Sequence, residues 1–385
     1  MLSSFDFESR TRLIFGVRSV ERVGELARKL PAKKILLVTD SGIAAAGHVE
    51  RVQKLLAAEN LSVFVFDQVR ENPTTGCVDR CLAFAKENQI DGIIGLGGGS
   101  SMDTAKGCNF LLTNGGAMKD YWGIGKATKP MLPLIAIPTT AGTGSECQSA
   151  ALIADEVTHQ KMACLDPKAA ARIAILDPAL TISQPPRVTA CTGIDAIAHA
   201  IESAVTKKRN PLSLMYSREA FRLTSNSFLT VLKDPNNLEA RGRMLLGAAF
   251  AGTAIENSML GAAHSAANPL TAHYRIVHGQ AVGMMLPHIV RFNGELADAQ
   301  NTYADLAGLA GISSASENRI RWLALVDWMN SILESAKIPP SLEECGVERS
   351  KISKLAEEAS KQWTAEFNPR QITKADFEKI FQTAF

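Results

Sequence analysis

The sequence predicts an α/β protein with a helical second half. An N-terminal domain over residues 1–182 carries a doubly wound, mostly parallel sheet, and an all-α domain follows over 183–385. Three observations predict this. Short β-branched runs alternate with helical patterns through the first half, two adjacent prolines (Pro185 and Pro186) punctuate the chain, and strand-like runs largely stop after them. The strands are "KKILLVTD" (33–40), "LSVFVFD" (61–67), "DGIIGLGGG" (91–99), "LPLIAIPTT" (132–140) and "ARIAILDP" (171–178). Their continuous apolar character suits a parallel sheet covered on both faces. "VERVGELARKL" (20–30) and "CVDRCLAFAKENQ" (77–89) read as intervening helices. Beyond the prolines come "PLSLMYSREAFRLTSNSFLTVLKD" (211–234), "ENRIRWLALVDWMNSILESAKI" (317–338) and "TKADFEKIFQTAF" (373–385), all with helical patterning. A cleft between two such halves is where a ligand is expected.

Composition narrows the function classes. The chain is 46% hydrophobic and 21% charged with a net charge of +2, so charge gives no reason to expect nucleic acid or anionic lipid as a partner. Asp6 and Glu8 interrupt the first residues, which argues against a secretory signal peptide, and no uncharged apolar run is long enough to span a membrane. The seven cysteines are odd in number and scattered, and Cys77 and Cys81 match neither a CxxC redox pair nor a zinc site. Reduced, buried thiols in a cytoplasmic protein are expected.

Two glycine- and hydroxyl-rich loops follow apolar strands. In "IIGLGGGSSMDTAKG" (93–107), Gly95 and Gly97 fit a dinucleotide GxGxxG pattern but Ser100 stands at its last position. The loop is either a phosphate cradle, with the next helix's N–H groups facing the anion, or a tight strand-to-helix turn. "IPTTAGTGSE" (137–146) adds Thr139, Thr140, Thr143 and Ser145 as hydrogen-bonding groups for phosphate or ribose. Both loops fall at carboxyl ends of parallel strands, where ligands of such sheets bind. Asp40 ends its strand and has two readings: it holds an adenine ribose, favouring NAD over NADP, or it caps the next helix.

In "GIDAIAHAIES" (193–203), Asp195 and His199 sit four apart, on one face of an otherwise apolar helix. Five of the seven histidines (199, 264, 273, 278 and 288) fall within one 90-residue span. A carboxylate with neutral imidazoles suits Zn²⁺ or Fe²⁺ better than Mg²⁺ or Ca²⁺. The spacing matches no zinc-finger or HExxH signature, so a buried Asp–His hydrogen bond is the alternative.

Several motifs run in one order: "FGVRSVERVGELA" (15–27), "NPT" (72–74), "GGGSSMDTAKG" (97–107), "IPTTAGTGSE" (137–146), "KMACLDP" (161–167), "PPRVTACTGIDAIAHAIES" (185–203) and the histidine block. With them the chain resembles the iron-containing (group III) alcohol dehydrogenases, which share a fold with glycerol dehydrogenase and dehydroquinate synthase. The resemblance implies that Asp195, His199, His264 and His278 bind a catalytic metal, Fe²⁺ by preference with Zn²⁺ as the other candidate. It implies an NAD(P) site with Gly97, Gly98, Gly99 and Ser100 at the pyrophosphate and Thr139, Thr140 and Thr143 nearby, and Asp40 at the ribose position favours NAD. Asp40, Asn72, Asp103, Lys161 and Leu180 match further cofactor-lining positions. The implied reaction is hydride transfer between NAD(H) and a small alcohol or aldehyde whose oxygen the metal polarises, in a cytoplasmic homodimer.

The chain departs from the family pattern at two places. Asn268 stands where many relatives carry a second histidine, which excludes an imidazole proton relay there. His273 is then the candidate catalytic substitute, or a packed structural histidine. Ala150 replaces a polar residue found in some relatives. Both changes predict an unusual substrate. Two other functions compete: a dehydroquinate-synthase-like lyase that uses NAD transiently, and a non-catalytic protein that binds NAD and metal.

Overall fold

The computed structural model describes residues 4–158 and 160–385. The chain packs as two units. One comprises residues 8–140 and 144–184, and the other comprises 185–385 together with the described residues up to Phe7 and the short segment Ala141–Thr143.

The first unit holds nine strands among the described residues: β1 (Arg12–Phe15), β2 (Lys34–Val38), β3 (Ser62–Phe66), β4 (Gly92–Gly97), β5 (Gly123–Ile124), β6 (Leu134–Pro138), β7 (Ala150–Ala154), β8 (Lys161–Leu165) and β9 (Ile173–Leu176). Its helices are α1 (Val23–Arg28), α2 (Ser41–Ala45), α3 (His48–Ala57), α4 (Thr75–Glu87) and α5 (Gly99–Asn114). Six strands form one sheet in the order β1-β9-β6-β4-β2-β3, and every pairing in it is parallel. All residues of β4 and β6 are buried, as expected of central strands covered on both faces.

All five strands expected from apolar runs are present. The additional strands have weaker signals. β1 is a four-residue edge strand with both ends exposed. β7 and β8 form an antiparallel hairpin that joins β5 in a second, three-stranded sheet. Half-exposed alternation along β7 hides it among polar neighbours. The expected helix at 20–30 begins as a 3-10 turn, Ser19–Arg22, because Asp177 accepts the Arg18 and Val20 amides and holds that turn tight.

The second unit is helical: α6 (Pro186–Ser203), α7 (Pro211–Ser225), α8 (Phe228–Lys233), α9 (Leu238–Ser258), α10 (Ala262–Tyr274), α11 (His278–Asn293), α12 (Ala297–Leu309), α13 (Asn318–Ser335), α14 (Ile352–Ser360) and α15 (Lys374–Thr383). Proline opens both α6 and α7, where the missing N–H costs nothing. The single helix expected over 211–234 is two. The hydroxyls of Thr224 and Ser225 bond back to the Ala220 and Phe221 carbonyls just where "TSNS" interrupts the apolar pattern, and the helix ends there. All seven cysteines are free thiols, and six of them are buried. Among the described residues, no helix is long and apolar enough to cross a membrane.

Candidate metal centre and dinucleotide cradle

Three helices of the second unit converge on one point. α6 supplies Asp195 and His199 from one face, α10 supplies His264 from its first turn, and α11 begins with His278. Asp195 Oδ1 lies 3.5 Å from His199 Nε2, 3.6 Å from His264 Nε2 and 4.0 Å from His278 Nε2. These separations are too long for good hydrogen bonds. Those of Asp195, His199 and His264 fit ligands of one ion, because donors each about 2.1 Å from a metal lie roughly 3.4 Å apart in a tetrahedral shell, while His278 stands farther off. Asp195 Oδ1 and His264 Nε2 are buried and have no hydrogen-bond partner, a costly state that a shared cation relieves. The side chains of Asp195, His199 and His264 are about 6% exposed or less, while His278 is 24% exposed and forms the open side.

Charges reinforce the geometry. Burial pushes the Asp195 carboxyl up, but His199 and then His264 and His278 outweigh it and hold the group well below the usual carboxylate range. Burial lowers the affinity of His199 for a proton, with Asp195 opposing. For His264, burial is overcome by Glu202 and Asp195, which raise the ring to about 9. Glu202 is the residue the sequence reading passed over. It sits on α6 three residues after His199 with its side chain 5% exposed, and it pairs with His264 Nδ1 on the side away from the other ligands. Its signal was present: Asp195, His199 and Glu202 are spaced i, i+4, i+7 along one helical face.

His273 is not brought to this cluster. Nine residues separate it from His264, half a turn out of phase on α10, and its Nε2 bonds Glu358 Oε2 at 2.7 Å on the exposed side. Asn268 does share the His264 face, one turn along, and its Nδ2 donates to Gln362 Oε1 at 3.0 Å.

In the first unit the register aligns the carboxyl ends of β2, β4 and β6. Gly97 has φ +146, and a side chain there would meet Ser101 Oγ at 2.5 Å and approach Asp40 Oδ2 at 3.6 Å. A side chain at Gly98 would meet Thr140 Cγ2 at 3.2 Å. α5 starts at Gly99 with no side-chain cap, so the Gly99 and Ser100 amides remain for an anion, while that of Ser101 bonds the Gly98 carbonyl. The buried hydroxyls of Thr139 and Ser101 have no partner. This cradle and these orphan hydroxyls fit a pyrophosphate.

Ser100 Oγ accepts the amide of Asn72, which adopts φ +53, so those two positions are neighbours. Asp103 is buried and accepts from Ser145 Oγ at 2.9 Å; burial raises its carboxyl, with Lys106 and Lys161 opposing. Lys106 is fully buried and donates to the Ser145 carbonyl, Ser145 Oγ and the Ala150 carbonyl, tying the second loop to α5. Leu180 is buried in a 3-10 turn after β9. Thr143 is half-buried in the segment that belongs with the helical unit. Asp40 caps α2, its Oδ1 accepting the Ile43 amide at 3.0 Å. Its other oxygen faces Gly97, so capping leaves that oxygen for a ligand.

Comparison with known proteins agrees with this architecture. Residues 10–178 match the family model of iron-containing alcohol dehydrogenases, and residues 189–385 match the C-terminal model of the same family. The NAD-dependent methanol dehydrogenase of Bacillus methanolicus is 32% identical over 376 residues, covering 96% of this chain and 97% of that protein. The 1,3-propanediol dehydrogenase of Klebsiella pneumoniae is 33% identical over 390 residues, covering 99% of each. The solved structure of a 1,3-propanediol oxidoreductase superposes with a TM-score of 0.96 at 32% identity over all of both chains. Both matched models describe dehydrogenases, which leaves the lyase reading without support. The chain belongs to the iron-containing alcohol dehydrogenase family and is an oxidoreductase of the alcohol dehydrogenase type.

Proposed function

We propose that this protein is an NAD-dependent dehydrogenase, or aldehyde reductase in the reverse direction, acting on a small alcohol/aldehyde pair with Fe²⁺ held by Asp195, His199, His264 and His278. One observation carries the reading: buried, partnerless donor atoms of a carboxylate and an imidazole face one another at ligand spacing. When bound, the ion would supply Lewis acidity toward the substrate oxygen and the dinucleotide would supply the hydride chemistry. The donor set also suits Zn²⁺.

The chain's own residues do the rest. Gly97, Gly98, Gly99 and Ser100 present the α5 amides to pyrophosphate. Thr139 and Thr140 add hydroxyls, and we assign Asn72, Asp103, Thr143, Lys161 and Leu180 to the same cofactor. The uncapping oxygen of Asp40 suits ribose hydroxyls and would repel a 2′-phosphate, which favours NAD over NADP. Asn268 holds no titrating proton, so it orients substrate through its amide and does not relay a proton. His273 has no part in this reading, because it points away from the ligands. We further propose a cytoplasmic homodimer. Seven free thiols suit a reducing compartment, and edge strand β1, with Phe15 48% exposed, offers a face to a second copy.

The test is NADH oxidation by anaerobically Fe²⁺-loaded protein across small aldehydes and ketones, with NADPH and Zn²⁺-loaded protein alongside. Turnover with NADH that disappears in His264→Ala is expected. Tight binding of NADH and metal without turnover on any carbonyl would instead make the protein a non-catalytic relative.

A further inference from the structure

We propose that Glu202 is the positioning residue of the metal centre, fixing which nitrogen of His264 faces the ion while seating the first turn of α10. The inference rests on the metal-binding reading above.

The observations form one chain of contacts. α10 starts after Gly261, which has no side chain to cap it. The missing caps come from elsewhere: Glu202 Oε1 accepts the Ala263 amide at 2.7 Å, and Asn368 Oδ1 accepts the Ala262 amide at 3.3 Å. A side chain at Gly261 would crowd both acceptors, at 3.0 Å from Glu202 Oε1 and 3.1 Å from Asn368 Oδ1. Asn368 is fixed in turn by Asn293, with which it exchanges bonds of 3.0 and 2.7 Å. The second oxygen of Glu202 pairs with His264 Nδ1.

A carboxylate only accepts hydrogen bonds, so when an ion displaces the second ring proton the remaining one stays on Nδ1 and the Nε2 lone pair faces the ion. That nitrogen is the partnerless atom beside Asp195. A negative group at a helix N-terminus is also favoured by the helix dipole.

The decisive variant is Glu202→Gln. Its amide oxygen still accepts the Ala263 amide, so α10 keeps its cap. Its NH₂ then faces His264 Nδ1 and drives the ring proton to Nε2, where the ion must bind. Zn²⁺ affinity by chelator competition is expected to fall about 10- to 100-fold, as for other second-layer partners of metal-binding histidines. The visible spectrum of the Co²⁺-loaded protein should change, while circular dichroism shows the metal-free variant folded.

Glu202→Asp keeps the charge but cannot reach both partners. It is expected to weaken metal binding too, and it decides the matter should the Gln variant not fold. A folded variant of either kind that binds Zn²⁺ within about twofold of wild type, with an unchanged Co²⁺ spectrum, overturns the proposal. Failure of wild type itself to bind Zn²⁺, or wild-type affinity in His264→Ala, would instead sink the metal-binding reading on which it rests.

Discussion

A residue with no side chain sets the width of the metal centre. Gly279 follows His278, and a Cβ there would lie 2.1 Å from the Cys191 carbonyl oxygen and 3.3 Å from Asp195 Cβ. The obstructing atom is α6 backbone, which cannot rotate aside. Gly279→Ala should therefore push α11 off α6 and carry His278 away from Asp195. A displacement of about 1 Å at a preorganised site can cost around a hundredfold in function, so we expect metal affinity to drop at least tenfold in a chelator titration. Wild-type affinity would show that the two helices can separate without moving the ligand. At this scale the sequence was partly legible. Asp195 and His199 announced themselves by helical spacing, and Glu202 shared that face unread. His264 and His278 could be joined to them only through the family resemblance, since no local rule brings three helices together. His273 illustrates the opposite case, because its place half a turn from His264 on α10 could be counted from the sequence, while its bond to Glu358 could not.

Among the secondary elements, α7 shows how one side chain can hold two helices. Asn210 accepts the Leu212 and Ser213 amides at 3.0 Å each, and its own amide donates to the Asn257 carbonyl near the end of α9 at 3.1 Å. Asn210→Ala removes the cap and strands buried amides. A loss of about 1–2 kcal/mol in urea unfolding is expected, the upper part of the range for such caps. A change below about 0.5 kcal/mol would mean that water replaces the cap, which its burial opposes. Elements with strong periodicity were the readable ones. The central strands β4 and β6 are apolar throughout, and β2 is apolar after Lys34, because both faces are covered, and this pattern stands out in a linear sequence. The β7–β8 hairpin was not readable, since β7 alternates in burial and β8 opens on an exposed lysine, with a polar run between them. The break between α7 and α8 was signalled by Thr224 and Ser225, whose bonds to the backbone outweigh the apolar pattern around them.

For the whole molecule, stability should depend on pH through a carboxyl outside the metal cluster. Glu146 is fully buried with Oε1 unpartnered, and burial pushes it up to about 7 from an ordinary value of 4.5, against the opposing charge of Lys106. An acid raised on folding keeps its proton in the native state after the unfolded chain has lost it. Its contribution is full below about 4.5, declines as pH rises through 7 and is flat above that. The change amounts to at most about 3 kcal/mol. Urea unfolding of wild type between pH 5 and 6.5 should show this decline, and Glu146→Gln should lack it. Parallel curves for the two proteins would show that Glu146 is charged throughout.

The order of the large sheet also governs how the chain can acquire its structure. Among the described residues β1 pairs only with β9, with Arg12 opposite Ile173, so it has no partner until most of the first unit exists. Closing so long a loop between parallel strands is slow, and an edge left open meanwhile invites the wrong neighbour. A strand made early is thus docked late, and its edge stays open until β9 arrives.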